Sequence, residues 1–213
     1  MIKHPLPIAT ILAATLFSTA VEASPLSVNF GWNSEYIFRG IPQNESSAFG
    51  GIDFEYKGAY AGAWAADVGD GLEYDFYGGY GFEVGRFNAS FGGTVYSYTG
   101  EFDDTYKEFN FSLGYAFLTF DAAVGTYDNF GGPELDYQFY SLTAEYNGFY
   151  GIVGTFEDDF DGSYYEAGWG STLTIGDQDL MDYGFSVLYS DSTLLGGSSD
   201  TNFVFSMSKT FDL

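Results

Sequence analysis

Carboxylates are the reactive groups this sequence offers in quantity. Its 213 residues include 30 Asp and Glu against 6 Lys and Arg, a formal charge of −24. Such groups can move protons, gather cations or hold a metal. Nucleophilic catalysis is harder to build. The one histidine is His4, and there is no cysteine. A Ser-His-Asp or Cys-His mechanism is therefore unavailable to the rest of the chain. No carboxylate pair stands apart by spacing from the general acidity, so the expectation is a protein that is not an enzyme, with no catalytic residues and no cofactor. The run Glu157-Asp158-Asp159-Phe160-Asp161-Gly162 places carboxylates before a glycine, as a calcium loop does. Gly168, however, stands where the bidentate twelfth-position Glu belongs. The run reads as a solvated loop rather than a metal site. So few bases also exclude a phosphate-binding surface, and no nucleic acid is expected as partner.

The elements that carry these acids are strands. Tyr (19), Phe (23) and Gly (29) dominate, a composition of strands and turns rather than helices. Val28, Phe30, Trp32, Ser34, Tyr36 and Phe38 alternate with Asn29, Gly31, Asn33, Glu35, Ile37 and Arg39. That is period two, with one aromatic face and one mostly polar or small. Ile52, Phe54 and Tyr56 likewise alternate with Asp53, Glu55 and Lys57, and Tyr74 and Phe76 with Glu73 and Asp75. Twelve such segments centre on Trp32, Phe54, Ala63, Phe76, Phe91, Phe111, Ala122, Leu142, Val153, Ala167, Phe185 and Phe205. Ten or fourteen strands also suit the pattern. Around Tyr96 and Tyr98 the phase slips. The mean hydropathy of −0.06 conceals the two faces, because alternating residues cancel.

The beginning of the chain reads as a secretory signal. Lys3 and His4 precede an apolar stretch from Leu6 to Phe17, and Val21-Glu22-Ala23 has the form of a cleavage site. Residues 1–23 are expected to be removed, leaving one domain over residues 24–213. Long connections at 41–50, 99–105, 128–136, 157–163 and 190–201 alternate with short ones at 57–59, 84–86, 117–118 and 147–148; the short one at 69–71 breaks the alternation. Asn147-Gly148 is a strong two-residue hairpin signal. The chain stops at Leu213 on an amphipathic segment with Phe203, Phe205, Met207 and Phe211 on one parity. Short turns on one rim, long loops on the other and alternating strands describe a single antiparallel transmembrane β-barrel of about 12 strands. Closure is required in lipid, where an open sheet edge would leave amides unpaired. A soluble barrel or sandwich would instead bury the aromatic parity.

Four blocks carry a family resemblance. They are V-N-F-G-W-N-S-E-Y-I-F-R-G-I-P-Q from Val28 to Gln43, G-G-I-D-F-E-Y from Gly50 to Tyr56, A-Y-A-G-A-W-A-A-D-V from Ala59 to Val68, and L-E-Y-D-F-Y-G-G-Y from Leu72 to Tyr80. In this order they resemble the TorF porin family of proteobacterial outer-membrane proteins. The match is close over the first third and follows only the strand pattern beyond it. The resemblance implies an outer-membrane barrel and a pore, and names no solute. Leu213 departs mildly from the usual terminal Phe of outer-membrane proteins, whose last strand is what the barrel assembly machinery recognises.

With the aromatic parity toward lipid, Glu35, Asp53, Glu55, Asp67, Glu73, Asp75, Glu108, Asp121, Glu145, Glu166 and Asp182 would line the lumen, joined by Arg39 and Lys57. Eleven acids cannot all pair with two bases. Surplus negative potential in a low-dielectric tube gathers cations. Arg39 has two readings, one arm of a constriction or a buried ion-pair partner that fixes the barrel. Inward Ala61, Ala63, Ala65, Gly79, Gly114, Ala116, Gly125, Gly168 and Gly170 would leave space, which Tyr77, Phe149 and the long loops could occupy. The expected function is passage of small hydrophilic solutes or ions, cations preferred, with both termini in the periplasm. The alternative is a closed barrel acting structurally or through its acidic loops. Expected partners are outer-membrane lipid and lipopolysaccharide, the barrel assembly machinery, and small solutes or cations.

Overall fold

The computed structural model describes residues 25–213, so the signal segment 1–23 and its cleavage point lie outside the described residues. Twelve strands follow one another: β1 (Leu26–Phe38), β2 (Ile41–Tyr56), β3 (Ala59–Asp67), β4 (Leu72–Val84), β5 (Phe87–Tyr98), β6 (Tyr106–Tyr115), β7 (Leu118–Tyr127), β8 (Leu135–Tyr146), β9 (Phe149–Asp158), β10 (Gly162–Ile175), β11 (Gln178–Ser190) and β12 (Asp200–Asp212). Each of the twelve segment centres falls in its own strand. Neighbours pair antiparallel and β12 closes on β1, so the barrel has no edge.

The two parities become two faces. Phe30, Phe76, Phe109, Val124, Phe185 and Phe203 project outward, and Phe203 is 72% exposed. All strands except β3 carry at least one such exposed large apolar side chain. A belt this continuous exceeds the apolar patches that water-soluble monomers show and suits acyl chains instead. One rim gathers both described chain ends and five two-residue turns, at 57–58, 85–86, 116–117, 147–148 and 176–177. Lys57-Gly58 (φ 51° and 86°) and Asn147-Gly148 (φ 52° and 80°) have the two positive φ values of a primed hairpin turn. The loops 99–105, 128–134, 159–161 and 191–199 stand on the opposite rim.

Several sequence expectations are corrected. The connection expected at 41–50 belongs to β2, and β1 passes into it through a two-residue turn at Arg39-Gly40 (φ 47° and 84°). In β3 the phase is reversed. Tyr60, Trp64 and Ala66 are buried, so Ala61, Ala63 and Ala65 are on the outward parity. No slip occurs at Tyr96, because β5 keeps one register against β4 and β6 through Tyr96. Tyr96 and Tyr98 are aromatics on the inner parity. Phe149 faces outward and Tyr150 inward, and Ala116 lies in an exposed turn. For β3 and Tyr96 the error comes from equating aromatic with lipid-facing, whereas Phe149 is an aromatic expected inside that faces out.

The first hairpin departs from the wall. β1 pairs with β12 only as far as Asn33, and β2 pairs with β3 only from Phe49 onward. Beyond the Asn33–Ser47 pair, the tip of the hairpin pairs only within itself, from Glu35 opposite Glu45 to Phe38 opposite Ile41. Ser46 with φ 64° and a register shift between Tyr36 and Ile37 mark the bend. Ile37 and Ile41, beside the tip, pack on a buried cluster that includes Tyr137, Phe139, Tyr150, Tyr164 and Leu188 from β8 to β11. The tip thus folds into the mouth of the barrel.

Candidate functional site

At the hairpin tip, Arg39 reaches Glu108 of β6. Both guanidinium nitrogens of the fork donate to the carboxylate, Nη2 to Oε2 at 3.0 Å. Tyr96 (3.1 Å), Tyr137 (2.9 Å) and Asn110 (2.8 Å) donate to the same carboxylate. The acceptor capacity of Glu108 is thereby filled. The guanidinium also lies 4.2 Å from the ring centre of Phe139 and 4.9 Å from that of Phe38. A charge-assisted fork with aromatic faces on both sides suits arginine and not lysine. Behind the tip, Ser190 of β11 donates to the Gly40 carbonyl at 2.5 Å. The hairpin is held across the lumen at two points.

The other acids are placed as follows. Tyr36 donates to Glu73 at 2.6 Å. Asp75, two residues on and 2% exposed, has an Oδ1 with no hydrogen-bond partner among the described residues. Asp53 accepts from Asn29 (3.1 Å) and Tyr77, Glu166 from Tyr150 (2.7 Å), and Asp182 from Thr172 (2.6 Å). Asp121 stands in register between Ser112 and Ser141, Glu55 opposite Tyr60, and Glu145 opposite Tyr150. Glu35 is half-buried on the departing hairpin, opposite Glu45. Two residues lie elsewhere. Asp67 is on the parity opposite Trp64, and its Oδ1 accepts from Gly69 N at 2.8 Å in the β3–β4 turn. Lys57 is exposed in the β2–β3 turn, 4.9 Å from the Tyr56 ring centre.

Sequence reasoning missed the inner aromatics: Tyr36, Phe49, Trp64, Tyr137, Tyr150 and Tyr164, all buried. A signal for them existed. Inward glycines lie directly across the ladder from inward rings, as in Gly168 opposite Tyr150 and Gly125 opposite Tyr137. A Cβ on Gly168 would sit 2.4 Å from the Tyr150 ring, and one on Gly125 2.6 Å from Tyr137. The glycines therefore do not leave open space. They admit a neighbour's ring laid flat against the wall.

A closed twelve-strand antiparallel barrel with an apolar outside and a polar, tyrosine-lined inside defines the class: a transmembrane β-barrel of the porin type. The chain belongs to the family described as "Bacterial protein of unknown function (Gcw_chp)", whose family model matches residues 18–150. Among solved structures the barrel is similar to KdgM porin, with a TM-score of 0.57 and 6% identity over 88% of this chain and 99% of that one. It is also similar to a structure from work on the in-meso crystallization of membrane proteins, with a TM-score of 0.58 and 8% identity over 88% and 83% of the two chains. At these identities the likeness is one of fold. No curated protein sequence matches this chain.

Proposed function

We propose that this protein is an outer-membrane porin that passes small hydrophilic solutes or ions and prefers cations. One observation carries the preference. Nine acids stand on the inner parity or buried inside the barrel (Asp53, Glu55, Glu73, Asp75, Glu108, Asp121, Glu145, Glu166 and Asp182), and from the same predicted set only Arg39 brings positive charge to the interior. Arg39 is already engaged by Glu108, so within that set acidic groups outnumber basic ones along the path. The unpartnered Oδ1 of Asp75 supports the same reading, since a buried carboxylate oxygen is costly unless a cation, proton or water meets it. The resemblance to the TorF porins and the fold shared with KdgM porin support passage as the activity.

In this reading residues 1–23 export the chain, and the turn rim with both mature ends faces the periplasm. The aromatic belt meets outer-membrane lipid and lipopolysaccharide, and β12 is the strand offered to the barrel assembly machinery. The hairpin tip is the narrowest point. Solutes pass beside the Arg39–Glu108 pair or when it parts. Liposome swelling tests the proposal. Vesicles holding the purified barrel should swell faster in an amine solute than in a carboxylate solute of equal size. Equal rates remove the cation preference. Rates no greater than those of empty vesicles favour a shut barrel that acts through its loops.

A further inference from the structure

On the loop side of the Arg39–Glu108 pair, the hairpin tip (Phe38, Arg39, Ile41 and Gln43) and the loop rim line a cavity of about 120 Å³. Its walls include Tyr98, Tyr106, Tyr137, Phe156 and Phe160, and Asp103 and Asp161 also line it. Three of the rings form a corner. The centroids of Tyr137 and Phe160 are 5.1 Å apart at 65°, and those of Tyr106 and Tyr137 are 6.0 Å apart at 70°. The tyrosine hydroxyls are already engaged. Tyr106 (2.9 Å) and Tyr127 (2.7 Å) both donate to Asp103, and Tyr137 and Tyr96 donate to Glu108. A sugar would therefore find ring faces and already engaged hydroxyls, with the Gln43 amide the one neutral polar side chain of the lining that keeps bonding capacity. An organic cation would find what it needs, electron-rich faces and nearby negative charge. The one basic lining residue, Arg39, is already neutralised by Glu108. The size suits a compact cation, since an apolar cavity of roughly 150 Å³ holds one benzene.

We propose that this cavity is a binding site for small organic ammonium ions, the solute class that the outer mouth collects. The inference deepens the cation-preferring reading of the pore and rests on it for its biological use, but the binding itself needs no current. Phe160 lies in the loop between β9 and β10, outside the strand ladder, and Asp103 lies in the loop between β5 and β6. Both can be changed without cutting a strand.

The experiment is calorimetric titration of tetramethylammonium into the detergent-purified barrel, expressed as the full chain, with potassium and glucose as comparison solutes. The expected result is one saturable site for tetramethylammonium that potassium does not match and glucose does not occupy. Phe160→Leu, which keeps apolar bulk and removes the ring, should weaken binding about fivefold. Asp103→Asn should weaken it in the same direction. Heat-modifiable migration checks that each variant is folded. No saturable binding, equal binding of potassium, occupancy by glucose, or affinity unchanged in Phe160→Leu would each overturn the site. Binding in a barrel that carries no current keeps the site and removes the pore. Current without binding does the reverse.

Discussion

Arg39, at the tip of the first hairpin, is bonded to Glu108, 69 residues away on β6. A sheet closed on itself has no other layer to pack on. This hairpin provides one by leaving the wall and lying in the mouth. Breaking the pair on one side strands the other charge in a dry site. Arg39→Ala should therefore lower stability by about 3–5 kcal/mol in urea unfolding and raise single-channel conductance, because the tip is released. Arg39→Met combined with Glu108→Gln should recover most of the stability and keep the raised conductance. A double variant that conducts as the parent does would show that the pair is not the constriction.

The ring-over-glycine pairs predict a specific coupling. Gly168→Ala places a methyl 2.4 Å from the Tyr150 ring and should destabilise by about 1–3 kcal/mol in the same unfolding assay. In Tyr150→Ser the same glycine change should cost much less. Additive losses would mean that the ring does not depend on the glycine.

The outer belt can be tested by charge. Phe109 is 59% exposed in the middle of β6. If lipid covers it, Phe109→Arg should cost roughly 2–4 kcal/mol of folding stability in vesicles. On a face exposed to water the same change would be neutral or would improve solubility.

Selectivity should follow the inner acids. Replacing Asp53, Glu55, Glu145 and Asp182 with their amides removes four charges from the inner parity without touching the Arg39–Glu108 pair. The zero-current potential in a salt gradient should move toward zero. An unchanged potential would place the selectivity at the hairpin tip instead.

The strands were legible because lipid and lumen impose period two on nearly every one of them. Phe30, Phe54, Phe76 and Phe185 show it directly. The inside was less legible, since a tyrosine serves either face. Tyr96 and Tyr164 carry the same side chain as the outward Tyr74 and Tyr165, and only the cross-strand neighbour distinguishes them. Tyr164 faces Gly154, whereas Tyr165 faces Val153. β3 misled for the same reason, because its outward positions are alanines and its rings point in. The inward fold of residues 34–48 had no signal in periodicity. It rests on a positive φ at Ser46 and on contacts with β6 and β11, distant in sequence. Arg39-Gly40 gave a partial hint, as a turn-forming pair read instead as the approach to a long loop.

A cation-preferring path through this barrel has a direct electrical signature. Single-channel current from the purified protein in a planar bilayer, under a potassium chloride gradient, tests it most directly. Discrete current steps are expected, with a zero-current potential displaced toward that of potassium. A folded, heat-modifiable barrel that gives no steps, or a potential displaced toward chloride, would contradict it.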